Sequence, residues 1–107
     1  MPGKNVLPIN DLNFAREVLE SAEPFLLEFT AKWCGPCRAL APIVERIADD
    51  TLGRVRVGII DIDDAPDVAA KLGVRGAPTV VVFKSGEERA RQLGVTSRQR
   101  LLAMLDD

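Results

Sequence analysis

Residues 25–37 read FLLEFTAKWCGPC, and this stretch decides the fold. Its first five residues form a nearly unbroken apolar run, which is typical of a central strand covered on both faces. After Cys34, apolar residues recur at helical spacing as far as about Asp50, so a helix is predicted there. Both cysteines of the chain therefore lie where a buried strand passes into a helix.

The rest of the chain alternates strands and helices. The predicted elements are a strand at 6–9, a helix from 10 to about 21, the strand and helix described above, a strand at 55–62, a helix from 64 or 65 to 72, strands at 79–83 and 88–93, and a last helix after 97. Asn10 and Ser97 are suited to cap helix starts, and Gly73 to end a helix. The apolar residues expected on buried helix sides are Leu12, Val18 and Leu19 in the first helix and Leu101, Leu102 and Leu105 in the last.

The element order βαβαβαββα defines the expected architecture. Strands joined by crossover helices must run parallel, whereas Ser85-Gly86 predicts the turn of an antiparallel hairpin. We therefore expect an α/β fold with a central mixed β-sheet flanked by helices on both faces. The length of 107 residues corresponds to a single domain, residues 1–107.

The composition excludes several kinds of function. The chain has 14 lysines and arginines, 16 aspartates and glutamates, and no histidine, for a net charge of −2. Without histidine there is no Ser-His-Asp or Cys-His pair and no imidazole metal ligand, and the near-neutral charge does not favour nucleic acid. No apolar run is long enough for a membrane helix or a signal peptide, so we expect a cytoplasmic protein without a membrane partner.

The spacing of Cys34 and Cys37 indicates redox chemistry. Residues i and i+3 of a helix lie about 5–6 Å apart, a separation that suits a disulfide. At the helix start, unpaired N–H groups and the helix dipole favour a Cys34 thiolate, so Cys34 is the expected nucleophile and Cys37 the resolving thiol. The alternatives are half of a zinc site, which lacks a second pair of soft ligands, and a structural staple, which stabilises little across so short a loop.

An acidic cluster lies in the second half of the chain, made of Asp61, Asp63, Asp64 and Asp67. It lacks the spacing of a calcium-binding loop, since Ala65 occupies the third ligand position. We interpret it as a strand end followed by a helix start, where acidic residues favour the helix dipole. No metal site is expected.

The segment Trp33-Cys34-Gly35-Pro36-Cys37 resembles the active site of the thioredoxin family. Residues 28–32 before it, residues 75–79 after it and Gly94 also fall where that family has matching elements. The resemblance thus covers essentially the whole chain. It implies the thioredoxin fold and a thiol-disulfide oxidoreductase, namely a general protein disulfide reductase and electron carrier that cycles between a Cys34/Cys37 dithiol and disulfide.

The resemblance also implies partners. No cofactor would be bound, because reducing equivalents would come from NADPH through a thioredoxin reductase. That reductase and disulfide-containing proteins are the implied partners of a monomeric chain. Family members with Gly-Pro between the cysteines are reductants, whereas oxidising relatives more often carry histidine there. There are two alternative functions. One is an oxidase or isomerase, and the other is a binding subunit that does not need its sulfurs.

Roles for residues around the cysteines follow from the same resemblance. Pro78 is expected to be cis and to face the disulfide, although X–Pro bonds are usually trans. The residues expected to shape the site are Trp33, Gly35, Pro36 and Pro78. Those expected to bind the substrate are Trp33, Ala77, Pro78, Gly94 and Val95. The alternatives are a core position for Trp33 and a plain turn at Gly94.

Glu28 is a charged residue inside the apolar strand, where burial should raise its pKa. In the thioredoxin family this position usually carries a buried aspartate near a lysine, but the corresponding lysine position here is Ile59. We hypothesise that Glu28 relays a proton to or from Cys37. The alternative is a glutamate whose carboxylate reaches solvent. Thr30 also replaces an aromatic residue that is common in the family.

Overall fold

The strands of the computed structural model, which describes residues 3–106, form one five-stranded sheet. They are β1 (Val6–Ile9), β2 (Phe25–Thr30), β3 (Arg56–Asp61), β4 (Thr79–Lys84) and β5 (Glu87–Leu93). Their order in the sheet is β1-β3-β2-β4-β5. β1 and β2 run parallel to β3, whereas β4 runs antiparallel to β2 and β5. The predicted mixed sheet is confirmed, and β2 is its central strand.

Helices cover both faces of this sheet. α1 (Gly35–Asp50) and α3 (Arg98–Leu105) pack on one face. A π-helix (Ala15–Leu19) and α2 (Pro66–Leu72) pack on the other. None of the helices within residues 3–106 is long and apolar enough to cross a membrane.

Side chains of β2 alternate between the two cores. Leu27 packs in the core beneath the π-helix and α2, whereas Leu26 packs with Leu40 of α1. Neighbouring residues of a strand point to opposite faces, so Glu28 faces α1 as Leu26 does. The carboxyl end of β2 leads directly into the start of α1, which places the two cysteines at this edge of the sheet.

The first helical segment differs from its prediction. The expected cap is present, because the Asn10 side chain accepts hydrogen bonds from the backbone N–H groups of Leu12 and Asn13 at 2.8 and 3.0 Å. A regular helix as far as residue 21 does not follow. The regular part is the π-helix alone, and its last turn is closed by the N–H of Glu20 donating to the carbonyl of Ala15 at 3.1 Å.

The buried side of this segment is also different. Leu12, expected in the core, is 94% exposed. The buried side chains are Phe14 and Val18, four residues apart and therefore on one face. Leu12 lies two positions from Phe14 and does not share that face.

The end of α2 and the start of α3 are as predicted, whereas α2 begins at Pro66, just after the predicted start at 64 or 65. The Ser97 hydroxyl accepts a hydrogen bond from the N–H of Arg100 at 3.1 Å, and Gly73 ends α2 in the left-handed conformation. In α3, Leu101 is fully buried as expected, whereas Leu102 and Leu105 are only partly buried. Met104, which the periodicity did not single out, is the other fully buried side chain of α3.

Candidate active site

Cys34 and Cys37 form a disulfide at the amino end of α1. Their Cα atoms are 5.4 Å apart, a separation that disulfide geometry allows. Cys34 is the N-cap residue, and its sulfur accepts a hydrogen bond from the backbone N–H of Cys37 at 3.1 Å. Both cysteines are nearly buried. The same N–H group and the helix dipole would stabilise a thiolate on Cys34.

The two residues between the cysteines are exposed and begin the first turn of α1. Pro36 stands where no backbone donor is needed. A Cβ built on Gly35 would meet no heavy atom of the described residues within 4 Å. Packing within residues 3–106 therefore does not require glycine at this position.

Trp33 lies on the surface beside the disulfide. It is 65% exposed, which excludes the alternative of a core position. Its indole Nε1–H donates a hydrogen bond to Oδ2 of Asp63 at 2.9 Å. Asp63 follows β3 and is 30 positions from Trp33, so no local sequence pattern could have indicated this contact. The acidic cluster is therefore more than a strand end and helix start, because one of its members orients Trp33.

A second loop reaches the cysteines from β4. The Ala77–Pro78 peptide bond is cis, and Ala77 packs against the small apolar cluster that contains Cys34 and Cys37. The Pro78 carbonyl accepts a hydrogen bond from the N–H of Gly94 at 2.8 Å. This hydrogen bond holds the chain after β5 next to the loop that contains Pro78.

The backbone conformation at Gly94 is a sufficient reason for glycine at this position, whether or not a substrate binds there. Its φ of +86° lies in the left-handed region that favours glycine, and a Cβ there would meet nothing within 4 Å in the described part of the chain. Val95 beside it is 48% exposed. Leu93, which sequence reasoning did not single out, is also exposed and extends the apolar surface.

Glu28 is almost completely buried, which excludes the alternative of a carboxylate that reaches solvent. Its register partners are Ile59 of β3 and Val80 of β4, so apolar side chains flank it. Its Oε2 atom has no hydrogen-bond partner among residues 3–106. Burial raises the pKa of Glu28 from 4.5 to about 7, and the negative charge of Glu45 adds to this effect. A carboxyl group with such a pKa can accept or donate a proton at neutral pH.

A disulfide at a helix start, following a strand that carries a buried titratable carboxyl group, defines the site of a thiol-disulfide oxidoreductase. No group of three or more histidine, cysteine or acidic side chains in the described range 3–106 is placed to hold a metal ion.

Comparisons with known proteins agree with this class. The sequence model of the thioredoxin family matches residues 5–107. A thioredoxin of Acidithiobacillus ferridurans is 42% identical over 101 residues, which are 94% of each chain. A thioredoxin of Pseudomonas aeruginosa is 37% identical over 103 residues (96% of this chain and 95% of the relative), and one of Rickettsia felis is 39% identical over 94 residues (88% and 90%). The chain belongs to the thioredoxin family.

Proposed function

We propose that this chain is a general protein disulfide reductase, acting as a single domain over residues 1–107. The observation that carries the proposal is the position of the Cys34–Cys37 disulfide, with Cys34 at the N-cap of α1 and its sulfur bonded to the Cys37 N–H. This position favours the thiolate that disulfide exchange requires.

The first step opens the substrate disulfide. The Cys34 thiolate attacks one substrate sulfur, so that a bond forms between Cys34 and the substrate while the substrate's own S–S bond breaks. The leaving sulfur departs as a thiolate and takes a proton from water. The two proteins are then joined by a mixed disulfide.

The second step releases the substrate. The ionised Glu28 carboxylate takes the proton of the Cys37 thiol, and the Cys37 thiolate attacks the Cys34 sulfur. The Cys34–Cys37 disulfide forms as the mixed disulfide breaks, and the second substrate sulfur leaves as a thiolate. Two electrons have passed to the substrate, and the cysteine pair is oxidised. Support for the role of Glu28 comes from its burial on the face of β2 that is turned towards α1.

Substrate proteins would bind to the surface around the disulfide. The residues proposed to form it are Trp33, Ala77, Pro78, Gly94 and Val95. The exposed Trp33 supplies the largest apolar area, and its hydrogen bond to Asp63 holds the ring in one orientation before the substrate arrives. An ordered side chain loses less conformational entropy on binding.

We expect Asp63→Ala to raise the KM for a protein disulfide substrate about two- to fivefold, because the Trp33 ring is then ordered only upon binding. The reaction of Cys34 with a small aromatic disulfide should stay within about twofold, since that reagent does not need the docking surface. Asp63→Asn keeps an acceptor oxygen and should restore the KM. Asp64→Ala removes a neighbouring carboxylate that lies 3.8 Å from Lys32, and it serves as the matched control. Equal increases in KM for Asp63→Ala and Asp64→Ala would contradict this role.

Reduction of the chain would require an external donor. We propose that a thioredoxin reductase transfers reducing equivalents from NADPH to the Cys34–Cys37 disulfide, so the chain itself carries no bound cofactor. We further propose that it acts as a monomer in the cytoplasm, which is the compartment where such a donor keeps thiols reduced.

The direct test is the reduction of a disulfide-bonded test protein by this chain with NADPH and a bacterial thioredoxin reductase. The expected result is NADPH oxidation that depends on the chain and on the test protein together. Activity with a small dithiol alone would identify a different donor. A chain that introduces disulfides into a reduced test protein, and does not remove them, would be an oxidase and would overturn the proposal.

A further inference from the structure

A surface groove runs along α1 away from the resolving cysteine. One wall is a stripe of α1 with a spacing of four residues, Cys37, Ala41 and Glu45. The opposite wall is Ile59 of β3 together with residues 30–32, and the volume enclosed is about 440 Å³. Glu45 is eight positions after Cys37 in the helix, which corresponds to a rise of about 12 Å. The resolving cysteine and this glutamate thus share one solvent-filled space.

Glu28 lies beneath this groove. Its register partner Ile59 forms part of the groove wall, and Glu28 itself is sealed from solvent. The Glu28 Oε2 atom finds no hydrogen-bond donor within residues 3–106, so the chain supplies nothing there to hold the carboxylate in its ionised form. Burial is the main reason why Glu28 holds its proton, and the negative charge of Glu45 in the groove adds to this effect.

Three positively charged side chains lie in the groove or near Glu45. Lys32 lines the groove, but its Nζ lies 3.8 Å from Asp64 and the side chain is 83% exposed. Arg38 also lines the groove and is exposed. Lys4 is exposed and follows Gly3, which lies against the Glu45 side chain. β3 and β4 present apolar Ile59 and Val80 to Glu28. Solvent screens the exposed cations, and Glu45 is the charged neighbour that raises the pKa of Glu28.

We propose that Glu45 is a positioning residue for the second step, and that its charge helps to hold the proton on Glu28 until the pH rises. The proposal rests on the proposed reductase function and on the relay role of Glu28. In this chain burial and a second carboxylate together raise the pH range in which the Cys37 proton is removed. An acidic neighbour makes Glu28 a weaker acid, so the second step is slower at low pH than it would be without Glu45.

The test is a Glu45→Gln variant of the full chain, which keeps the size of the side chain and removes its charge. The Glu28 carboxyl group is titrated by ¹³C NMR in the disulfide form, and the rate of mixed-disulfide resolution is measured from about pH 5.5 to about pH 8.5. The titration midpoint of Glu28 should fall, and the rate at about pH 6 should rise about two- to fivefold because more Glu28 is ionised. Glu45→Lys should produce a larger shift in the same direction.

Two controls decide the outcome. Asp49→Asn removes the same charge one helical turn beyond the groove and should leave both the midpoint and the rate profile unchanged. In a Glu28→Gln background, Glu45→Gln should no longer shift the rate profile. Equal shifts in the Asp49 and Glu45 variants, no shift in either, or a shift that persists without Glu28 would overturn the proposal. Failure of the reductase function would instead appear as a wild-type chain without turnover at any pH.

Discussion

The Cys34→Ser variant is expected to lose protein disulfide reduction by about a thousandfold or more, because a serine hydroxyl at the N-cap of α1 is not ionised at neutral pH and cannot attack a disulfide. The measurement is NADPH oxidation with a thioredoxin reductase and a disulfide-bonded test protein. Ala39→Ser is the matched control, since it adds a hydroxyl to an exposed position of the same helix without touching the sulfurs. Its activity should equal that of the wild type.

The Cys37→Ser variant separates the two steps. Cys34 can still attack a substrate, but nothing then attacks the mixed disulfide, so turnover stops after one event. A covalent adduct with the test protein should appear by mass spectrometry and disappear on treatment with a dithiol. A chain that keeps its biological function with both sulfurs replaced would be a binding subunit, and the reductase proposal would be wrong.

The contribution of Glu28 to the stability of the folded chain should fall as the pH rises, because its carboxyl group is buried. The pKa of Glu28 is about 7 in the folded chain, compared with the ordinary glutamate value of 4.5 that applies to the unfolded chain. The folded chain therefore binds the proton of Glu28 more tightly than the unfolded chain does. The stabilisation that Glu28 contributes is therefore fully present below about pH 4.5 and is lost as the pH rises through about 7. The loss amounts to about 3 kcal/mol of unfolding free energy.

Urea denaturation of the wild type and Glu28→Gln at several pH values isolates this contribution. The other carboxyl groups titrate in both proteins, so the difference between the two curves reports Glu28 alone. The wild type should lose stability relative to Glu28→Gln between about pH 5 and about pH 8. Glu28→Leu, which also cannot ionise, should follow Glu28→Gln in its pH dependence. Parallel curves for the wild type and Glu28→Gln would show that Glu28 has an ordinary pKa in the folded state.

The parts of the fold that the sequence predicted are those with strong local signals. The apolar run of β2, the stop at Gly73 and the cap at Ser97 each depend on residues close in the chain, and each appears in the structure. The first helix was predicted too long because Leu12 was counted with the apolar stripe. Its side chain instead faces solvent, and a π-helical turn directs Phe14 and Val18 inward.

The parts of the site that could not be predicted depend on distant residues. Asp63 reaches Trp33 only because the end of β3 lies beside the end of β2 in the sheet. Glu45 affects Glu28 only because α1 packs over the face of β2 that carries this glutamate. The burial of Glu28 was predicted from the apolar run around it, whereas the missing hydrogen-bond partner of Oε2 required the positions of its neighbours.

The open space around Gly35 means that the two residues between the cysteines do not pack against the rest of the molecule. Gly35 and Pro36 face solvent, and a Cβ on Gly35 would touch no atom of the described residues. Neither residue belongs to one of the two cores. Substitutions at these two exposed positions are therefore expected to leave the packing of both cores unchanged, so that their effect is confined to the surroundings of Cys34.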